Sequence, residues 1–335
     1  LEEDNMDTYR QMELRARLLD RRRRLDSALR DFEETSQISR LLSEVDSALQ
    51  RMDEGTYGLC EVCHDSIEED RLMANPLLKN CLDHLTPNQQ MELEQDLNLA
   101  SRIQQQLLPG NDLRIGDWEI YYHYEPAGSV SGDYCDLLMP GTESGDVFFL
   151  LGDISGKGVA ASMLMAHLHA IFRSLASVKL SANQLVERGN RVFCDSTMSP
   201  DYATLICGRA GKSGRLEICN AGHCPAVLVR SGDIATIEAS GFPLGIFYDG
   251  EYGVEQLQLM PGDILFLYTD GLTEAKNNMD EEFGAERLIK VIQTNYMLSP
   301  RDLTELCLED MKKFLSGLAN TDDLTIMVVR RRNVS

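Results

Sequence analysis

Residues 1–54 contain neither glycine nor proline, and that absence constrains the start of the chain more than any other feature. Those two residues break helices most strongly, so a stretch without them, crowded with Arg, Glu, Asp and Leu, reads as helix. Leu14, Leu18, Leu19, Leu25 and Leu29, then Leu41, Leu42, Val45, Leu49 and Met52, recur every three to four residues. The spacing predicts one long helix or a two-helix hairpin broken near Glu34 to Ser39. The run Arg21 to Arg24 reads as a solvated helix face. Gly55 and Gly58 end the pattern, and a compact Cys-containing segment follows to about Leu85. Thr86 and Pro87 open a second polar helix, in which Leu93, Leu97, Ala100, Ile103 and Leu107 form a narrow apolar stripe. Such a stripe suits a coiled coil or a helix laid on a neighbour. Pro109 and Gly110 stop it.

From Asp117 the period changes to two: Trp118, Ile120, Tyr122 and Tyr124 alternate with other residues. Further strands are predicted at 146–153, 202–209, 215–220, 226–230, 254–260, 263–269 and 324–330, with helices at 159–178, 181–197, 284–295 and 300–317. Turns at Ser213-Gly214, Ser231-Gly232 and Pro261-Gly262 read as hairpin-like. The pattern predicts an α+β fold with antiparallel sheets covered by paired helices. The Met163 and Met165 pair reads as helix core.

The formal net charge of −22 argues against direct nucleic-acid binding, which relies on Lys and Arg. The longest apolar runs fall far short of the roughly 20 residues of a membrane span. No basic-then-apolar leader opens the chain, so a cytoplasmic location is expected. The chain starts at Leu1 rather than Met, as a trimmed or partial chain would. Of the nine cysteines, six are scattered through predicted strands and helices, which suits a reducing compartment better than a disulfide framework.

Four of the potential metal ligands are paired. Cys60 and Cys63 form a C-x2-C knuckle, and Cys81 and His84 form a C-x2-H knuckle. Zn²⁺ takes four tetrahedral sulfur or nitrogen ligands, and a segment this short with few aromatics needs a metal as organiser. His64, adjacent to Cys63, is an awkward alternative. The segment GTYGLCEVCHDSIEEDRLMANPLLKNCLDH, with the helix before it, resembles the zinc finger of the DksA/TraR family across roughly residues 10–85. The resemblance implies a structural Zn²⁺ and, in that family, binding to RNA polymerase. Two positions depart from the family pattern: His84 stands where Cys is usual, and His64 where Gly is usual.

The large C-terminal region carries SGDYCD at 131–136, GDISGKG at 152–158, TDGLTEA at 269–275 and DDLT at 322–325. Each sets an Asp at a strand end or beside small residues, where carboxylates can share a cleft. Mg²⁺ and Mn²⁺ take such oxygen ligands, and a pair of them can activate water and clamp a phosphoryl group. GDISGKG is not a Walker A loop, because only three residues separate Gly152 from Gly156-Lys157.

With NAGHCPAVL and GFPLGI between them, these motifs resemble the SpoIIE/RsbU branch of the metal-dependent PPM serine/threonine phosphatases, in family order across residues 112–332. The resemblance implies an αββα sandwich holding two Mn²⁺ or Mg²⁺ ions. It assigns Asp153 as the bridging ligand with the Ile154 carbonyl beside it, Asp270 and Asp322 on the other ion, Asp133 close to the cluster, and Asp323 as a second-rank ligand. Catalysis would rest on Asp153, Asp133, Asp270 and Asp322, by direct attack of a metal-bound hydroxide on a phosphorylated regulatory protein such as an anti-sigma-factor antagonist. His223 reads as a support for a turn, Cys135 and Cys224 as packing, and Lys157 as a loop cation. The expected segments are helical or coiled-coil 1–54, zinc finger 55–86, helical linker 87–110 and phosphatase domain 111–335. The N-terminal module would regulate the enzyme, with a homodimer formed through the N-terminal helices. The competing expectation is a transcription-associated protein that binds RNA polymerase through the zinc module.

Overall fold

The computed structural model describes residues 3–31, 36–139, 145–176, 178, 180–197 and 201–332. The chain forms two units, residues 1–95 and 96–335. In the first, α1 (Glu3–Asp31) and α2 (Ser36–Asp53) pack side by side, and Leu18, Val45, Ala48 and Leu49 close between them. Residues 32–35, where part of the expected break falls, lie outside the described residues. Arg22 pairs with Asp46 at 2.7 Å and Arg15 with Asp53 at 2.8 Å across these helices. Arg21 and Arg23 are exposed, as a solvated face requires. The short α3 (Glu69–Ala74) lies between the two knuckles, and α4 (Pro87–Leu107) runs into the second unit.

The second unit alternates β1 (Asp112–Ile115), β2 (Trp118–Glu125), β3 (Asp133–Leu138) and β4 (Val147–Ile154) with the helix pair α5 (Val159–Leu175) and α6 (Ala182–Ser196). Then come β5 (Ala203–Ala210), β6 (Arg215–Ala221), β7 (Ala226–Arg230), β8 (Asp233–Ile237), β9 (Glu255–Gln258) and β10 (Ile264–Tyr268). The one-turn α7 (Asp270–Thr273), α8 (Ala285–Asn295), α9 (Pro300–Leu315) and β11 (Leu324–Arg331) complete it. One sheet has the order β1-β2-β11-β10-β7-β8, the other β3-β4-β5-β6-β9, and every adjacent pair is antiparallel.

Strand alternation divides the apolar residues into layers. Trp118, Ile120, Phe149, Leu151, Leu265, Leu267, Met327 and Val329 fill the space between the sheets. Tyr134, Phe148, Leu150 and Leu205 face α5 through Met165, Leu168 and Phe172 and α6 through Leu185 and Phe193. Phe266, Ile326 and Val328 face α8 and α9 through Leu288, Ile292, Leu303 and Met311. The result is the expected αββα sandwich.

Two expectations about packing need correction. Ser213-Gly214 and Ser231-Gly232 do close hairpins, with positive φ at both residues of each turn, as type I′ turns require. Pro261-Gly262 instead carries the chain from β9 in one sheet to β10 in the other, so no hairpin forms there. Met165 is buried as helix core, whereas Met163 is 68% exposed. These residues are two positions apart, and on a helix of 3.6 residues per turn they point away from one another.

Candidate functional site

The register of β3 against β4 sets Asp133 directly opposite Asp153. By strand alternation both share the face of Cys135, Phe149 and Leu151, which is turned toward the other sheet. Asp136 falls on the opposite face, where Arg173 of α5 grips it through Nε at 3.0 Å and Nη2 at 2.7 Å. SGDYCD therefore supplies one carboxylate to the cleft and one to the core.

From the facing sheet, Asp270 begins α7 just after β10, and Asp322 and Asp323 lie just before β11. The hydroxyls of Thr269 and Thr325 both donate to Asp133 Oδ2, the former at 3.0 Å. These bonds tie the two sheets together at the site and fix the orientation of a fully buried carboxylate. Gly271 is required here: a Cβ would collide with the Asp323 carbonyl.

Asp323 has a distinct environment. Its Oδ1 accepts the Ala127 N–H and its Oδ2 the Gly132 N–H, both at 2.8 Å. It thereby pins the loop 127–132 that leads into Asp133. Gln104 of α4 holds the same loop from another side. Its Nε2 donates to the Ser131 carbonyl at 2.7 Å and its Oε1 accepts the Ser131 N–H at 3.0 Å. The expected stripe on α4 holds in part: Leu97, Ala100 and Leu107 are half-buried, Leu93 and Ile103 are 38% and 52% exposed, and the fully buried residue of the helix is Gln104. Gln104→Leu leaves two buried backbone groups unpaired, each costing about 1–3 kcal/mol. A lower melting temperature and faster amide exchange at Ser131 are expected; unchanged exchange at Ser131 would show that Gln104 does not hold the loop.

The carboxylates repel one another. Burial, then Asp270, Asp322 and Asp323, pushes the Asp153 carboxyl up to about 7, with Lys157 opposing. Burial and then Asp153 hold Asp133 well above its ordinary value. Asp270 is raised by burial and by Asp322. Lys157 Nζ lies 2.9 Å from Asp322 Oδ2 and donates to the Thr321 carbonyl at 3.2 Å. The Ile154 carbonyl faces Gly132, where an added Cβ would lie 3.3 Å from it. A crowded, oxygen-only donor set whose members raise one another's pKa fits hard divalent cations.

His223 sits behind this cluster. Its Nδ1 is 2.8 Å from Thr204 Oγ1, which in turn lies 3.3 Å from the Asp153 carbonyl. Burial lowers its pKa to about 4, so it is a neutral support. Burial raises the Cys224 thiol to about 12 and holds the Cys135 thiol well above its ordinary value, so neither is a ready thiolate.

In the first unit, one ligand atom from each of Cys60, Cys63, Cys81 and His84 lies within 4.8 Å of all the others. Cys63 Sγ and Cys81 Sγ are 3.7 Å apart, and Cys81 Sγ is 3.3 Å from His84 Nδ1. Two thiolates on a tetrahedral Zn²⁺ would stand about 3.8 Å apart, given Zn–S near 2.3 Å. His64 lies outside this group and has φ +62°, a left-handed conformation that glycine adopts freely.

The fold is that of PP2C-type domains. The SiaA-PP2C domain of Pseudomonas aeruginosa superposes with a TM-score of 0.65, covering 74% of this chain and 99% of that one at 17% identity. Residues 143–332 match the family described as Stage II sporulation protein E (SpoIIE), and the chain belongs to that family. Residues 55–83 match the prokaryotic dksA/traR C4-type zinc finger. That match ends one residue before His84, so three cysteines and a histidine stand where the family description gives four cysteines. Protein IcfG of Synechocystis is 29% identical over 70% of this chain, and the chain spans 41% of IcfG. Phosphoserine phosphatase RsbU of Bacillus subtilis is 25% identical over 72% of each chain.

Proposed function

We propose that the chain hydrolyses phosphoserine or phosphothreonine on a regulatory protein, with an anti-sigma-factor antagonist as the substrate class. The observation that carries this reading is the convergence of Asp133 and Asp153 from one sheet with Asp270 and Asp322 from the other. Asp153, with the Ile154 carbonyl, Asp270, Asp322 and Asp133, would hold two Mn²⁺ or Mg²⁺ ions, and Asp323 would serve mainly to fix the loop before Asp133. Bound there, such ions supply an acidified water and neutralise phosphoryl charge. The chain's own residues prepare the site: Thr269 and Thr325 orient Asp133, Asp323 and Gln104 lock its loop, and Thr204 with His223 supports Asp153. Lys157 is the cation placed to meet a phosphoryl oxygen when Asp322 is engaged elsewhere. Cys60, Cys63, Cys81 and His84 would hold a structural Zn²⁺.

Regulation by the N-terminal module is part of the reading. Ile103 and Leu99 are 52% and 49% exposed on α4, beside the face that carries Gln104. A change in the packing of α4 would act on the Asp133 loop through Gln104, and a homodimer through the N-terminal helices would be one way to bias it. Leu97→Asp with Ile103→Asp, and separately removal of residues 1–86, are expected to change turnover and mass in solution. If both stay the same, α4 is a passive tether.

The test of the function is phosphate release from a phosphoserine protein with Mn²⁺, run beside capture of purified RNA polymerase. Metal-dependent release supports the phosphatase. No release combined with polymerase binding would favour the transcription-associated alternative raised by the zinc-finger match.

A further inference from the structure

The loop between β8 and β9 places large apolar side chains in solvent. Phe242 is 65% exposed, Ile246 44%, Phe247 55% and Tyr248 50%. Isolated apolar residues are common at surfaces, but four within seven residues form a patch, and patches mark contact sites.

The loop is held firmly. Leu244 is fully buried and pairs with Ala203 through both backbone bonds, at 2.8 and 3.0 Å. Asn190 of α6 donates to the carbonyls of Phe247 and Tyr248 and accepts the Gly245 N–H at 3.0 Å. Phe242 and Phe247 meet edge to face with centroids 5.3 Å apart. The sequence thus fixes the backbone and leaves the aromatic rings outward, in a pre-ordered arrangement that loses little entropy on binding.

The patch adjoins the aspartate cleft. Ala203 lies opposite Ile154 in the sheet and Leu244 lies beside Ala203. Two strand spacings put the loop backbone about 10 Å from that of Ile154. Tyr202, 40% exposed, exchanges hydrogen bonds with Ser155 of GDISGKG and abuts Gly245. Asp249 and Glu251 are exposed in the loop itself and Asp201 precedes Tyr202; Arg191 lies 3.6 Å from Asp249. The edge of the patch is therefore acidic on balance.

We infer that this aromatic loop is the docking surface for the phosphoprotein substrate, and that it takes an apolar contact bordered by Lys or Arg beside the phosphoserine. The inference rests on the phosphatase reading above. Buried aromatic anchors dominate protein contacts, while rim charges set partner preference and encounter rate.

The test compares wild type with Phe242→Ser/Phe247→Ser and with Asp249→Lys/Glu251→Lys, all loaded with Mn²⁺. The probes are phosphorylated myelin basic protein, a basic phosphoprotein, and p-nitrophenyl phosphate, which is too small to reach the loop. The aromatic double variant is expected to raise KM for the phosphoprotein at least about 10-fold, since aromatic anchors carry most of the energy of such contacts. Its kcat/KM on the aryl phosphate should not change. The charge variant should raise the same KM and weaken its dependence on salt. An unchanged KM in both variants overturns the docking surface, as does an equal loss on both probes, which would mark the loop as support for the cleft. Wild type that cleaves only the aryl phosphate overturns it as well. Wild type that cleaves neither probe overturns the phosphatase reading and the docking surface with it.

Discussion

Asp153→Asn is expected to lower Mn²⁺-dependent turnover at least about 100-fold, because a neutral amide cannot replace a carboxylate placed among three others. The same substitution should stabilise the metal-free protein. Asp153 titrates near 7 in the folded chain against an ordinary value of 3.8, so the folded state binds its proton more tightly than the unfolded state does. The associated stability is fully present below about pH 4 and is lost as pH rises to about 7. At pH 8 the metal-free wild type therefore carries a penalty on the order of a few kcal/mol that Asn removes. At roughly 2–4 °C per kcal/mol for a unit of this size, metal-free Asp153→Asn should melt several degrees above metal-free wild type. Mn²⁺ should then raise the melting temperature of wild type and leave that of the variant unchanged. Thermal scans with and without chelator check all three statements, and a variant that melts lower without metal would contradict the charge-crowding account.

Cys81→Ser is expected to remove one Zn²⁺ per chain and to unfold residues 55–85. In metal-organised modules the apparent Zn²⁺ free energy is about 10–16 kcal/mol. The apolar core of this segment is small, with Cys60, Ile67, Leu72 and Cys81 as its buried members. A Ser oxygen is a poor substitute for a thiolate that lies 3.7 Å from Cys63 Sγ and 3.3 Å from His84 Nδ1. Elemental analysis should find no zinc in the variant, and amide exchange should rise across 55–85 while β4, β5 and β10 keep their protection. Zinc retained at one equivalent would exclude Cys81 as a ligand.

Much of this arrangement is legible in the sequence, for identifiable reasons. β4, β5, β10 and β11 are apolar runs bounded by turn residues. The aspartates of the four motifs stand next to small residues at strand ends, so motif and position agree. The rest obeys other rules. β3, DYCDLL, is buried at all six positions, so no polar–apolar alternation marks it; its two aspartates are carried inward by partners distant in sequence. β8, DIATI, is short and mostly exposed. Gln104 is invisible to a search for an apolar stripe, because its burial is justified only by the two backbone groups of Ser131. Asp136 resembled Asp133 in sequence, and only the strand period separates the core carboxylate from the cleft carboxylate. The left-handed backbone at His64 explains why glycine suits that position better than any residue with a Cβ.

The central claim is that aspartates from the two sheets form one divalent-cation site. Calorimetric titration of metal-free protein with Mn²⁺ at pH 7.5 measures this directly, with Asp153→Asn titrated alongside. Two Mn²⁺ ions should bind per wild-type chain, with protons released as the raised carboxyls ionise, and the variant should lose both binding events. Equal Mn²⁺ binding by the two proteins would contradict the site.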